Sequence, residues 1–116
     1  MIAVIFEVLP GDGQTETYLD TASALKPSLE RMDGFISIER FQSLTEPGKI
    51  LSLSFWRDEQ AVAHWRNAEV HRRAQDLGRG GVFQDYRLRV AEVLRDYGLQ
   101  ERKQAPADSR AHHEHP

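Results

Sequence analysis

The stretch GFISIERFQSLTEPGKILSLSFWRD, residues 34–58, decides how this chain folds. Phe35 to Gln42 and Ile50 to Trp56 have strand length and are rich in β-branched and aromatic residues, with Pro47-Gly48 between them. Two such runs around a proline–glycine connection read as a β-hairpin. Side chains alternate along a strand, so Leu51, Leu53 and Phe55 share one face and Ile50, Ser52, Ser54 and Trp56 the other. Asp58 is a suitable helix cap, because its carboxylate can accept from backbone N–H groups that the first helical turn leaves unpaired. On the other side, Asp33-Gly34 supplies a helix stop.

Working toward the N-terminus, Leu19, Ala22, Leu25, Leu29 and Met32 recur at spacings of three and four and predict one apolar helix face. Asp12 or Thr15 is the expected cap, and Pro27 predicts a kink or break near Leu25-Lys26. Ile2 to Leu9 reads as a strand with apolar residues on both faces, closed by the turn Pro10-Gly11-Asp12-Gly13. Toward the C-terminus, Ala61, Val62, Trp65 and Ala68 form the stripe of a second helix, expected to run on through Ala74 until Gly78, Gly80 and Gly81 end it. A last strand lies within Phe83 to Tyr97, where Tyr86, Leu88 and Val90 alternate with Arg87 and Arg89, and Ala91 to Val93 suggest a bulge. The polar, aperiodic residues after Leu99 predict a disordered tail.

The order is strand, helix, two hairpin strands, helix, strand. It predicts an α+β, ferredoxin-like βαββαβ domain over residues 1–99 and a tail over 100–116, the helices lying on one face of an antiparallel four-stranded sheet. The other face keeps large apolar residues, which a lone soluble domain does not expose as one patch. A second copy of the chain would cover it, so the expected assembly is a homodimer, a dimeric α/β barrel.

Composition removes several classes of function. A net charge of −3 over 116 residues argues against a general nucleic-acid binder, which needs a concentrated positive surface. The absence of cysteine excludes disulfides, thiolate nucleophiles and cysteine-held metal sites. MIAVIFEVLP has no basic residue ahead of it and is too short to span a bilayer, so it reads as a first strand and the protein as cytoplasmic, with no membrane partner.

Gly34 through Phe41, Pro47-Gly48-Lys49, Leu51 through Trp56, Asp58 through Val62 and Trp65 through His71 together resemble the antibiotic biosynthesis monooxygenase family. The resemblance spans about Met1 to Tyr97. It implies a small oxygenase that acts, without a bound cofactor, on an aromatic, phenolic or quinol-like molecule. Within that family Trp65 is similar to a helix tryptophan shared by the polyketide oxygenases and the haem-degrading branch. The oxygenases carry an asparagine one turn before it, where this chain has Ala61. The haem-degrading branch places a histidine ligand where this chain has Gln75 and a first-strand asparagine where it has Glu7, which disfavours haem cleavage. A binding or dimerisation module of the same fold, without turnover, is the alternative.

Five residues are candidates for the site. His71 lies three residues after Ala68 and so borders the apolar stripe, where an imidazole could take a proton from a phenol near neutral pH; otherwise it is a packing or surface histidine. Trp65 either stacks on an aromatic substrate or anchors the core, the commoner role on an apolar helix face. Arg40 and Tyr86 lie on strands, where a structural ion pair or a satisfied phenol competes with a ligand contact. Glu7, between Ile5 and Leu9, needs a partner or water, and a salt bridge to an arginine on a neighbouring strand would satisfy it. Arg79-Gly80-Gly81 lacks the spacing of a phosphate loop and reads as a helix stop. The tail run His112-His113-Glu114-His115 has metal-ligand residue types but no framework to fix a geometry, so no metal site is expected.

Overall fold

A computed structural model describes residues 1–113. The elements are β1 (Ile2–Pro10), α1 (Thr15–Glu30), β2 (Phe35–Gln42), β3 (Ile50–Trp56), α2 (Glu59–Arg66), α3 (Glu69–Leu77), β4 (Phe83–Glu92) and α4 (Ala107–His113). The strands form one sheet in the order β2-β3-β1-β4, with every neighbouring pair antiparallel. This is the α+β ferredoxin-like arrangement that the hairpin and its flanking helices predict.

Register makes the two sheet faces distinct. Val4 pairs with Ser54 and Val90, and Ser54 in turn with Ile38; Phe6 pairs with Ser52 and Leu88, and Ser52 with Arg40. These two rows lie on the face that the helices cover. At one end of that face Ile2, Leu29, Trp56, Ala61 and Val62 pack into a buried cluster; at the other Val8, Tyr18, Ile50 and Val82 form a second. Trp56 is almost wholly buried, and its indole N–H donates to the Ser54 hydroxyl at 3.0 Å. Truncating a tryptophan packed in this way typically costs about 3–5 kcal/mol.

The sheet's reverse face carries Ile5, Leu51, Leu53, Phe55 and Phe41, all partly exposed, between charged residues. Glu7 sits on this reverse face. Its carboxylate accepts from Arg89 at 3.0 Å and lies 3.8 Å from Lys49 Nζ, which is the salt-bridge solution open to a strand carboxylate.

Local detail departs from the sequence expectations at several points. Helix α1 has Gln14 at its N-cap, with no side-chain cap from Asp12 or Thr15. It also runs unbroken through Pro27. Ser23, whose carbonyl loses its helical donor to the proline, is exposed, so water can satisfy it and the helix need not break. Leu19 is 41% exposed, and Tyr18 takes the inward position instead. In β2 the register shifts between Phe35 and Ser37, so Phe35 packs edge-on against Trp56 while Ile36 bulges outward, off the side of Ile38 and Arg40. The irregularity of β4 falls at its start, where Leu9 pairs with Asp85 and Pro10 with Phe83, and not near Ala91.

The second helical region changes most. Asp58 caps α2 as expected, accepting from Ala61 N at 2.9 Å. The helix then stops at Arg66, Ala68 adopts an extended backbone (φ −65°, ψ 140°), and α3 starts at Glu69. Asn67 stabilises the break by donating to Ala63 O at 2.8 Å and accepting from Arg72 at 2.6 Å. A wide turn over Gly78–Val82 leads into β4, with Gly81 at φ 126°, a conformation L side chains rarely adopt. Beyond Leu99 the chain carries turns and the short helix α4 where disorder was expected.

Candidate functional site

Between the two apolar clusters the helices do not close onto the sheet. A cavity of about 640 Å³ remains there, a size suited to a small organic molecule. The sequence of β3 explains the opening. Its inward face reads Ile50, Ser52, Ser54, Trp56, so the two large residues prop the ends while two small ones floor the middle. Val4, Phe6, Ile38 and Leu88 complete an apolar floor, and Tyr18, Leu25, Leu29, Val62 and Trp65 come down from the helices.

His71, Trp65, Tyr86 and Arg40 all line this one cavity, although Arg40 and Tyr86 stand 46 positions apart in the chain. Glu7 does not. It lies on the reverse face in its ion pair with Arg89.

The break at Ala68 produces the closest pairing in the site. On a continuous helix, residues six apart lie about 120° apart around the axis and about 9 Å along it, so their rings cannot stack. The break between α2 and α3 instead lets the His71 ring stack on Trp65, with centroids 4.8 Å apart and planes 13° from parallel. His71 Nδ1 lies 3.0 Å from the Trp65 carbonyl oxygen. A carbonyl only accepts, so Nδ1 carries the proton and the Nε2 lone pair is left free. Burial holds the His71 pKa below the ordinary histidine range, the contact with the Trp65 carbonyl opposes that shift, and nearby Arg72 reinforces it. The ring is therefore neutral at neutral pH and able to accept a proton.

Two tyrosine–arginine contacts sit elsewhere in the wall. Arg40 Nε donates to Tyr18 Oη at 3.3 Å, with its guanidinium 5.9 Å from the Tyr18 ring centroid. Arg79 donates to Tyr86 Oη at 3.1 Å. Phe6, Phe83 and Tyr86 make mutual ring contacts at 5.6–6.0 Å, and Phe83 also meets Tyr18 edge-on at 5.7 Å. Gln75 lines the cavity from α3, while His64 points to solvent.

Sequence reasoning missed Tyr18, Phe83, Arg79 and the serine floor. Tyr18 was within reach, since the series Tyr18, Ala22, Leu25, Leu29 fits a helix face as well as one starting at Leu19. The serines carried a signal too, as small polar residues on the inward face of a central strand need a reason to be there. Among the described residues no group of three or more His, Asp or Glu could hold a metal ion; Glu114 and His115 lie outside them. No described helix is long and apolar enough to cross a membrane.

Fold and cavity together define a ligand-sized pocket in a small ferredoxin-like domain. The family model for antibiotic biosynthesis monooxygenases matches residues 1–77, and the chain belongs to that family. A jasmonate monooxygenase of Pyricularia oryzae is 53% identical over 93 residues, which cover 80% of this chain and 43% of that protein. The chain thus spans less than half of that relative's length. The uncharacterised protein YqjZ of Bacillus subtilis is 30% identical over 99 residues, covering 85% of this chain and 84% of its own. Among solved structures, a Deinococcus radiodurans protein assigned provisionally to the same family superposes with a TM-score of 0.76 at 13% identity, covering 85% of this chain and 98% of that one. Mycobacterium tuberculosis Rv0793 gives 0.75 at 15% identity, covering 84% and 98%. At such identities these two speak for the fold alone.

Proposed function

We propose that this protein is a monooxygenase of the antibiotic biosynthesis type that oxidises an aromatic, phenolic or quinol-like small molecule without a bound cofactor. The observation that carries the reading is a neutral histidine, with its Nε2 lone pair uncommitted, lining an aromatic-walled cavity. His71 takes the proton of a phenol bound against Trp65. The phenolate passes one electron to dioxygen, the resulting radical and superoxide combine at a ring carbon, and loss of water from the peroxide leaves a quinone. One oxygen atom enters the product and the other leaves as water. Tyr86 and Arg40 bind oxygen atoms of the substrate, while Glu7, on the other face of the sheet, takes no part.

The active unit in this reading is a homodimer in which the reverse sheet faces pack together, covering Ile5, Leu51, Leu53 and Phe55. The absence of cysteine suits a reducing cytoplasm.

Oxygen uptake with a panel of phenols and quinols tests the reaction. Wild type is expected to turn over at least one of them, and His71→Ala to lose about 10²-fold in kcat/KM, the usual worth of a positioned general base. Equal rates for the two proteins on every substrate would remove His71 from the mechanism. The 53% identity to the fungal enzyme favours a second substrate, jasmonate, which belongs in the same panel. Turnover of jasmonate alone would move the assignment to it, and binding of panel members without oxygen uptake would leave a binding module.

A further inference from the structure

We propose that the cavity takes an anionic ligand, an apolar body bearing one ionised carboxylate, and that Arg40 with Ser52 forms the subsite for that carboxylate. This rests on the cavity being the substrate site and adds the substrate's charge. Arg40 is half-buried in the cavity wall, and its recorded hydrogen-bond partner is the neutral hydroxyl of Tyr18. Among the described residues no carboxylate pairs with it. Taking a guanidinium part-way out of water without a counter-charge is costly, so such a group is either an anion receptor or a liability. Its Nε is spent on Tyr18, which leaves the two Nη groups as a fork for a bidentate carboxylate.

Ser52 stands directly across the β2–β3 ladder from Arg40, on the same cavity floor. Ser52 is a buried residue, and its place in the cavity lining puts its hydroxyl within reach of a bound ligand. That hydroxyl supplies a further donor to an anion held at Arg40.

The charge of the whole lining points the same way. Arg40, Arg66, Arg72 and Arg79 line the cavity, with Lys26 in its ion pair with Glu30, against Asp76 as the one carboxylate among the described lining residues. A positive lining on a chain whose net charge is −3 is a local arrangement that composition does not impose, and it draws anions toward the opening.

Calorimetric titration with naphthalene-2-acetate and its neutral isostere naphthalene-2-acetamide separates charge from shape. The acid is expected to bind wild type at least tenfold more tightly, with the difference shrinking as salt rises. Arg40→Gln should bring the two ligands toward parity by weakening the acid by a larger factor than the amide. Arg40→Lys should keep part of the preference, and Ser52→Ala should lower it by a smaller factor. Equal binding of acid and amide to wild type overturns the anion subsite while leaving the cavity as a binding site. Failure of both to bind overturns the cavity reading itself. An undiminished acid preference in Arg40→Gln removes Arg40 from the subsite. Should Arg40→Gln lose the amide as well, Arg40→Lys decides: loss of the acid preference there overturns the proposal, and its retention supports it.

Discussion

At the scale of single residues, His71 joins a structural contact to a chemical one. Its Nδ1 proton is committed to the Trp65 carbonyl, which fixes the ring plane and leaves Nε2 as the basic atom. Because burial lowers its pKa, the acid limb of a rate–pH profile should fall below pH 6.5, the value of an unperturbed histidine. A limb at or above 6.5 would mean another group controls the rate. The same shift has a stability consequence. Well above 6.5 the folded and unfolded imidazoles are both neutral and the site contributes no pH dependence. As pH falls through 6.5 the unfolded chain binds a proton that the folded one refuses, so stability drops until the folded pKa is passed. Denaturation midpoints of wild type should therefore decline from pH 7 to pH 5 more steeply than those of His71→Gln. Gly34 is a second residue under tight constraint. Its φ of 87° favours glycine, and an added Cβ would stand 2.6 Å from Ala61 Cβ. Gly34→Ala should cost about 1–3 kcal/mol, read as a lowered thermal midpoint.

At the scale of elements, β3 and the α2–α3 break decide whether a site exists. Ser52 and Ser54 keep the floor of the sheet low between Ile50 and Trp56. Ser54 is tied to the Trp56 indole, so Ser52 is the position at which to fill the cavity. Ser52→Leu replaces a hydroxyl with a branched apolar group, a net gain of two heavy atoms, where there is space. It should abolish ligand binding while leaving the denaturation midpoint unchanged or raised, since filling a void restores packing contacts. A protein that still binds would place the ligand elsewhere. The break at Ala68 was not readable from the apolar stripe, because Ala61, Val62, Trp65 and Ala68 fit a continuous helix. Asn67 is a helix-ending residue type, yet its effect depends on Arg72 and on Ala63 O, contacts that a linear pattern does not reveal.

At the scale of the whole molecule, the radius of gyration is 17.0 Å, above the about 13 Å of a compact chain of this length. Large exposed apolar residues include Phe41 on the reverse sheet face, Leu88 and Val90 on the cavity side of β4, Leu44 in the hairpin turn, and Leu94 and Leu99 after β4. A second subunit packed on the reverse face would cover the first of these. Light scattering at micromolar concentration should report a dimer, and Leu53→Asp should shift it toward monomer by raising the dissociation constant at least tenfold. A stable monomer in wild type would leave the apolar face unexplained and remove the dimeric barrel.

Element order, the hairpin and the Asp58 cap were legible because alternation, turn residues and capping chemistry act within a few residues of chain. His71, Trp65, Arg40 and Tyr86 were legible as residue types that a site could use. Their convergence on one cavity was not, nor was Glu7's place on the reverse face, because these follow from strand register and from the helix break at Ala68. Pro27 in an unbroken helix and Tyr18 in place of Leu19 have the same origin. Local rules allow either outcome, and only the packing of α1 on the sheet, with water free to reach Ser23, selects one. Periodicity decides which faces are apolar, whereas the space left between them depends on every layer being in position at once.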